Sequence, residues 1–293
     1  MRQKTIQRCV EGIGIGLHKG EPIRIVLEPM EANSGIIFYR QDIGMSVKAH
    51  PSNVINTQMA TVIGMSTKES ISTIEHLLSA VNSYGIDNLR IIINGGEIPV
   101  MDGSSASFCM MLDEAGIRTL EENKKVIVIK KEIEVRDGNK FSKVMPSNKP
   151  IYHFIIDFAH PAIGRQEYTY EFGKKNFLND IARARTFGFL KEAQILRSMG
   201  LGLGGSLDNT IILDEKKILN PEGLRFQNEF VRHKILDAIG DLCLLGMPML
   251  GNYDSFAGSH KLNHLLTKEI LKDPQNYEVK TLVSSLVHAK AFA

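Results

Sequence analysis

The chain has 293 residues, of which 43% are hydrophobic and 23% charged, a composition that argues against extensive disorder and is long enough for two domains of ordinary size. Its formal net charge of +2, from 35 basic and 33 acidic residues, offers no broad electrostatic surface and excludes nucleic acid as an expected partner. Cys9, Cys109 and Cys243 lie far apart and form no C-x-x-C pair, which implies reduced thiols and a cytoplasmic setting.

In chain order, the opening MRQKTIQRCVEGIG has no apolar core of the kind a signal peptide needs. No later run reaches the ~18 uninterrupted apolar residues of a membrane span, so neither secretion nor membrane insertion is expected. TIQRCVEGIGIGLHKGEPIRIVLEP reads as a hairpin, and GIIFYR as a strand after the ANSG turn. STIEHLLSAVNSYGIDN then switches to helical spacing, with Ser72 as N-cap and Gly85 as stop. NLRIIING returns to strand, and SSASFCMMLDEAG reads as a second helix. The charged EENKK precedes a new strand run, VIVIKKEIEV, which places a domain boundary after residue 125.

The second half, 126–293, repeats this grammar with strands ending in YHFIIDF and QEYTYEF, a helix around NFLNDIARARTFGFL, and another over residues 229 to 245. The glycine-rich segment from 200 to 223 sits between those helices like an inserted loop and strand. The expected fold is therefore α+β, with several strands and two helices in each half.

The helix EFVRHKILDAIGDLCLL carries the densest chemistry. His233, Asp237 and Asp241 recur every fourth residue and share one face, opposite an apolar stripe of Val231, Ile235, Ala238, Leu242 and Leu245. Imidazole and carboxylate at i, i+4 can hold one divalent metal, although such pairs are more often ordinary helix-surface contacts, and a third ligand is required. Glu75-His76 could combine a general base with a metal ligand. Spacing alone favours a different role, because Ser72-x-x-Glu75 is a capping box. His260, after a small-residue turn, could donate a proton near neutral pH, yet a lone loop histidine is usually just exposed. GIGIGLHKG fits no phosphate-binding fingerprint and reads as a hairpin turn.

Taken together, the motifs GIGLHKG, ISTIEHLLSA, GIDNLRIIING, EIPVMDGSSASF, IDFAHPAI, ARARTFGF, LGGSLDN, LRFQNEFVRHKILDAIGDL and GSHKLNH make the chain resemble, end to end, the UDP-3-O-acyl-N-acetylglucosamine deacetylase family. These are zinc amidases of lipid A biosynthesis in Gram-negative bacteria. The resemblance implies two similar domains, each a sheet layer on a helix pair, with the active site between them. It implies a UDP-linked acylated glucosamine as substrate, and Zn²⁺ as cofactor with Fe²⁺ as the alternative native metal.

Position by position, the resemblance implies His76, His233 and Asp237 as metal ligands and Glu75 as general base. His260 would protonate the departing amine, supported by Asp241, and Thr186 would hydrogen-bond the oxyanion. Phe158 and Phe187 would lie near the sugar and acyl group, and Lys234 would meet substrate phosphate or hydroxyl groups. The segment 200–223 would build a passage for the acyl chain, with Leu201, Leu203, Ile211, Ile212 and Leu213 as its wall. A smaller insert near 56–70 would contain Met59 and Thr61, the latter standing where some relatives have cysteine.

Two histidines and one aspartate also suit a non-haem Fe(II) oxygenase, and a noncatalytic binding protein could retain the fold. Glu75, Asp241 and His260 together argue against a merely structural metal. A single acyl chain gives only marginal membrane attachment, so the expected substrate is compatible with transient inner-membrane contact without requiring it.

Overall fold

In the computed structural model, which describes residues 1–283 and Phe292, the repeated grammar becomes two five-stranded sheets with the same topology. The first contains β1 (Val10–Ile15), β2 (Pro22–Pro29), β3 (Ile36–Arg40), β4 (Met45–Lys48) and β5 (Leu89–Ile93), in the order β1-β2-β5-β3-β4. The second contains β6 (Ile133–Asp137), β7 (Lys140–Met145), β8 (Ile151–Phe158), β9 (Gly164–Glu171) and β10 (Asn252–Phe256), in the order β6-β7-β10-β8-β9. In each sheet the central late strand pairs parallel to one neighbour and antiparallel to the other.

Alternation explains why these segments are strands. Ile23, Ile25 and Leu27 point into the core while Arg24 and Glu28 face outward, the two-residue period of a sheet covered on one side. The helices among the described residues are α1 (Glu75–Ser83), α2 (Ala106–Ala115), α3 (Lys174–Asp180), α4 (Leu190–Ser198), α5 (Glu229–Cys243) and α6 (His260–Lys272), and some of them supply the cover. α2 packs on β1, α5 on β8 and β9, and α6 on β6 and β7. α1 and α5 make the most extensive helix contact, which joins the two halves at their centre.

That contact depends on Gly240, whose missing side chain lets α5 press onto the start of α1. The apolar stripe of α5 is buried as its periodicity implies: Val231, Ile235, Ala238, Leu242 and Leu245 are all in the core. The polar stripe opposite is buried too, so α5 has no solvated face along His233, Asp237 and Asp241. No helix among the described residues is long and apolar enough to cross a membrane.

Three local expectations fail for identifiable reasons. Ser72 does not cap α1, because its backbone pairs with the strand segment at Gly96–Ile98 and its hydroxyl donates to Gly96. α1 starts at Glu75 without a side-chain cap. The helix expected through NFLNDIARARTFGFL stops at Asp180. Beyond it, the backbone groups of Ala184, Arg185 and Thr186 are taken by His233, Glu229 and Gly103, partners distant in sequence that displace i to i+4 bonding. VIVIKKEIEV is likewise two strands, Lys125–Ile129 and β6, in different sheets.

Of the four smaller sheets among the described residues, two bear on the site. Strands Val54–Asn56, Val62–Gly64 and Ser70–Ile71 form one, and Phe187–Phe189 pairs parallel with Ile211–Leu213 to form the other. α4 lies between the strands of this second pair in sequence and buries none of its residues.

Candidate active site

The α1–α5 contact brings His76 from the first half against His233 and Asp237 from the second. One ligand atom from each lies within 4.8 Å of the others, and all three residues are buried. The histidine rings meet edge-on with centroids 4.9 Å apart. His233 Nδ1 lies 3.0 Å from the Ala184 carbonyl, which can only accept, so the proton sits on Nδ1 and the Nε2 lone pair faces inward.

That lone pair lies 3.3 Å from Asp237 Oδ1, and His76 Nε2 lies 3.6 Å from the same oxygen. Asp237 Oδ1 is buried and has no hydrogen-bond partner among the described residues. Burial pushes the His233 imidazole down to about 3, against the pull of Asp237, and leaves it neutral at pH 7. Burial would raise Asp237, but His233 and Lys234 hold its carboxyl well below the ordinary range. An orphaned carboxylate oxygen facing an inward nitrogen lone pair suits a bound divalent cation, since buried polar atoms otherwise find partners. The residues present thus fit a metal.

Glu75 and His260 complete the polar cluster. His260 Nε2 lies 3.6 Å from Glu75 Oε1, and its Nδ1 lies 2.8 Å from Asp241 Oδ2. Burial would lower His260, yet Asp241 and Glu75 lift it to about 9, so the ring is cationic at neutral pH. Burial raises the Glu75 carboxyl above its usual range, opposed by His260 and His76. A carboxylate of raised basicity beside an imidazolium has the character of a base and an acid.

These groups open onto a cleft of about 570 Å³. Glu75, His76, His233, Asp237, His260, Lys234, Thr186, Phe158 and Phe187 all line it, whereas Asp241 stands behind His260. Phe158 and Phe187 meet edge-on at 5.9 Å. Lys234 Nζ is 2.7 Å from Asp237 Oδ2 and so holds the carboxylate as well as facing the cleft. Met59, Thr73 and Ala257, three non-glycine residues with positive φ of 70°, 60° and 49°, also line the cleft. Such strain persists only where the surrounding structure enforces it.

A second cavity of about 490 Å³ shares Leu17, Met59, Thr186, Phe187, Gly188, Phe189 and Glu192 with the cleft and continues from it. Of the five residues expected to wall an acyl passage, only Ile212 lines this cavity. Ile211 and Leu213 point the other way, into the core, as alternation on a strand requires, and Leu203 is mainly exposed. Phe187, Phe189, Leu190, Leu196, Leu207 and Leu219 supply the apolar lining instead.

Sequence reasoning missed four residues that hold the site. Arg185 and Glu229 form a buried ion pair behind Thr186, Asn263 Nδ2 donates to Asp241, and Thr61 bonds both Glu75 and Asp241. Arg185 and Glu229 lie inside ARARTFGF and NEFVRHK, and their presence there was the available signal. Thr61 stood out only for not being cysteine.

With this geometry in place, comparison with known proteins is informative. Residues 3–272 match the family model described as UDP-3-O-acyl N-acetylglycosamine deacetylase. The chain is 66% identical to the UDP-3-O-acyl-N-acetylglucosamine deacetylase of Campylobacter fetus subsp. fetus, with both chains covered over their full length. It is 62% and 63% identical, at the same coverage, to proteins of that name from Campylobacter lari and Campylobacter jejuni subsp. jejuni. A match over nearly the whole chain, with relatives of more than 60% identity at full coverage, means that the chain belongs to the UDP-3-O-acyl N-acetylglycosamine deacetylase family.

Proposed function

We propose that this chain hydrolyses the N-acetyl group of UDP-3-O-acyl-N-acetylglucosamine, releasing acetate and the free amine, an early committed step of lipid A biosynthesis. The observation that carries the reading is the unpartnered Asp237 Oδ1 facing His233 Nε2 and His76 Nε2, beside Glu75 and His260. His76, His233 and Asp237 would hold Zn²⁺, with Fe²⁺ as the alternative, since both accept imidazole and carboxylate. A cation there lowers the pKa of water and polarises the acetamide carbonyl.

The protein's own groups do the remaining work. Glu75 takes a proton from the attacking water as its oxygen bonds to the carbonyl carbon. The Thr186 hydroxyl donates to the resulting oxyanion, a contact of a kind that contributes about 3 kcal/mol to a transition state. His260, held cationic by Asp241, gives its proton to the nitrogen as the C–N bond breaks, and the amine leaves. Lys234 secures Asp237 and faces substrate oxygen atoms, while Phe158 and Phe187 flank the sugar and the start of the acyl chain. The acyl chain occupies the 490 Å³ cavity.

We divide the chain functionally into 1–125, with an insert near 56–70, and 126–293, with an insert near 200–223; the two sheets of equal topology support this division. A UDP-linked substrate and three unpaired cysteines suit the cytoplasm, with transient contact at the inner membrane where acylated sugar is collected.

Metal analysis of the purified protein coupled to an acetate-release assay tests this reading. Activity removed by a chelator and restored by stoichiometric Zn²⁺ is expected. Absence of acetate release with metal bound would overturn it.

A further inference from the structure

Thr61 lies just before the strand Val62–Gly64 and is 1% exposed. Its backbone N–H donates to Glu75 Oε2 at 3.2 Å, and its hydroxyl donates to Asp241 Oδ1 at 2.6 Å. The other oxygen of each carboxylate faces His260, at 3.6 Å from Glu75 Oε1 and 2.8 Å from Asp241 Oδ2. Glu75, Thr61, Asp241 and His260 therefore form a closed ring of polar contacts. Met59 and Ala60 line the cleft and Thr61 does not, so Thr61 acts from behind the reacting groups.

We propose that Thr61 is a positioning residue: by occupying one oxygen of Glu75 and one of Asp241, it dictates which oxygen of each faces His260 and thereby aims the imidazole. The inference rests on the roles given above to Glu75, Asp241 and His260. A carboxylate can rotate about its terminal torsion with little intrinsic preference. Asp241 Oδ2 already receives Asn263 Nδ2 at 2.8 Å as well as His260. Oδ1 receives Thr61 alone among the described residues.

Without that hydroxyl, Asp241 retains a buried, unpaired oxygen and gains a reason to turn, carrying His260 with it. The small sheet made by Val54–Asn56, Val62–Gly64 and Ser70–Ile71 thus has a chemical task as well as a structural one. The backbone two residues earlier, at Met59, has a positive φ of 70°.

Thr61→Val tests the hydroxyl alone, since valine keeps the shape and leaves the backbone N–H to Glu75 available. Thr61→Ser restores a hydroxyl in a smaller side chain. The expected result is a kcat for acetate release lowered about ten-fold or more in Thr61→Val, the scale of losing a residue that orients a catalytic partner. KM, metal content and melting temperature stay near wild type, and Thr61→Ser recovers most of kcat.

The His260 ring proton on Nδ1, followed by NMR in both variants, reads the same positioning without turnover. It shifts or broadens in Thr61→Val and stays in Thr61→Ser. A Thr61→Val protein with kcat within two-fold of wild type and an unmoved His260 resonance overturns the proposal, as does loss of metal or folding in both variants. If wild type releases no acetate, the deacetylase reading fails and the His260 resonance alone decides the role of Thr61.

Discussion

Arg185 and Glu229 form an ion pair that solvent does not reach: Nε to Oε1 is 2.9 Å, and the side chains are 1% and 0% exposed. The same carboxylate accepts the backbone N–H groups of Arg185 and Arg225, at 3.0 Å and 2.5 Å. Arg185 also reaches Glu222 and the Gly223 carbonyl, so the pair ties the start of α5 to the segment after the strand Ile211–Leu213.

Breaking this pair at Glu229 leaves the buried Arg185 with only the half-exposed Glu222 as counterion. Glu229→Gln is expected to lower unfolding free energy by about 3 kcal/mol, measured by denaturant titration. The Ala184 carbonyl and Thr186 flank Arg185, so metal affinity and kcat fall with it. A variant as stable as wild type would show that the pair does not anchor this segment.

Gly240 gives a second test of assembly. A β-carbon there would stand 2.0 Å from the Glu75 carbonyl oxygen, a backbone atom that cannot swing aside. Gly240→Ala should push α1 from α5, cost roughly 1–3 kcal/mol or more in stability, and separate His76 from His233 and Asp237. Isothermal titration with Zn²⁺ should show affinity reduced well beyond the effect of an alanine elsewhere on α5.

The pH profile follows from His260. Its folded-state value, near 9, lies above the ordinary 6.5 because Asp241 and Glu75 outweigh burial. A raised value means that the imidazolium and the stability it contributes are fully present below about 6.5 and are lost as pH rises through about 9. Acetate release should therefore fall on the alkaline side with a midpoint near that upper value. Asp241→Asn should move the midpoint down and lower the maximum rate; an unmoved alkaline limb would remove His260 from the role of acid.

Gly188 tests the cavity. It lines both the cleft and the adjoining apolar space, and a side chain built there meets nothing within 4 Å. Gly188→Leu should fold and bind metal normally while losing about 100-fold in kcat/KM for the long-acyl substrate. A short-acyl analogue should lose much less, and equal losses for both would place the acyl chain elsewhere.

Most strands of the two main sheets, the buried stripe of α5 and the family were legible in the sequence alone, because these reside in local periodicity and in motif order. Alternation at Ile23, Ile25 and Leu27 and four-residue recurrence at His233, Asp237 and Asp241 are properties of neighbouring positions. Tertiary structure decided what Glu75 does. Local spacing makes it a capping residue, yet its side chain faces Thr61 of its own half and His260 of the other, which packs close because Gly240 lets α5 approach α1. It also ended the helix at Asp180, where distant partners claim the backbone that local preference would coil. The cavity wall went to residues on α4 and around Leu219 because the strand Ile211–Leu213 turns alternate residues into the core. Thr61 meets Glu75, 14 residues away, within its own half, and Asp241, 180 residues away, only where the two halves pack together. Periodicity fixes which face of an element is apolar; which groups meet across that face depends on how closely the elements can approach.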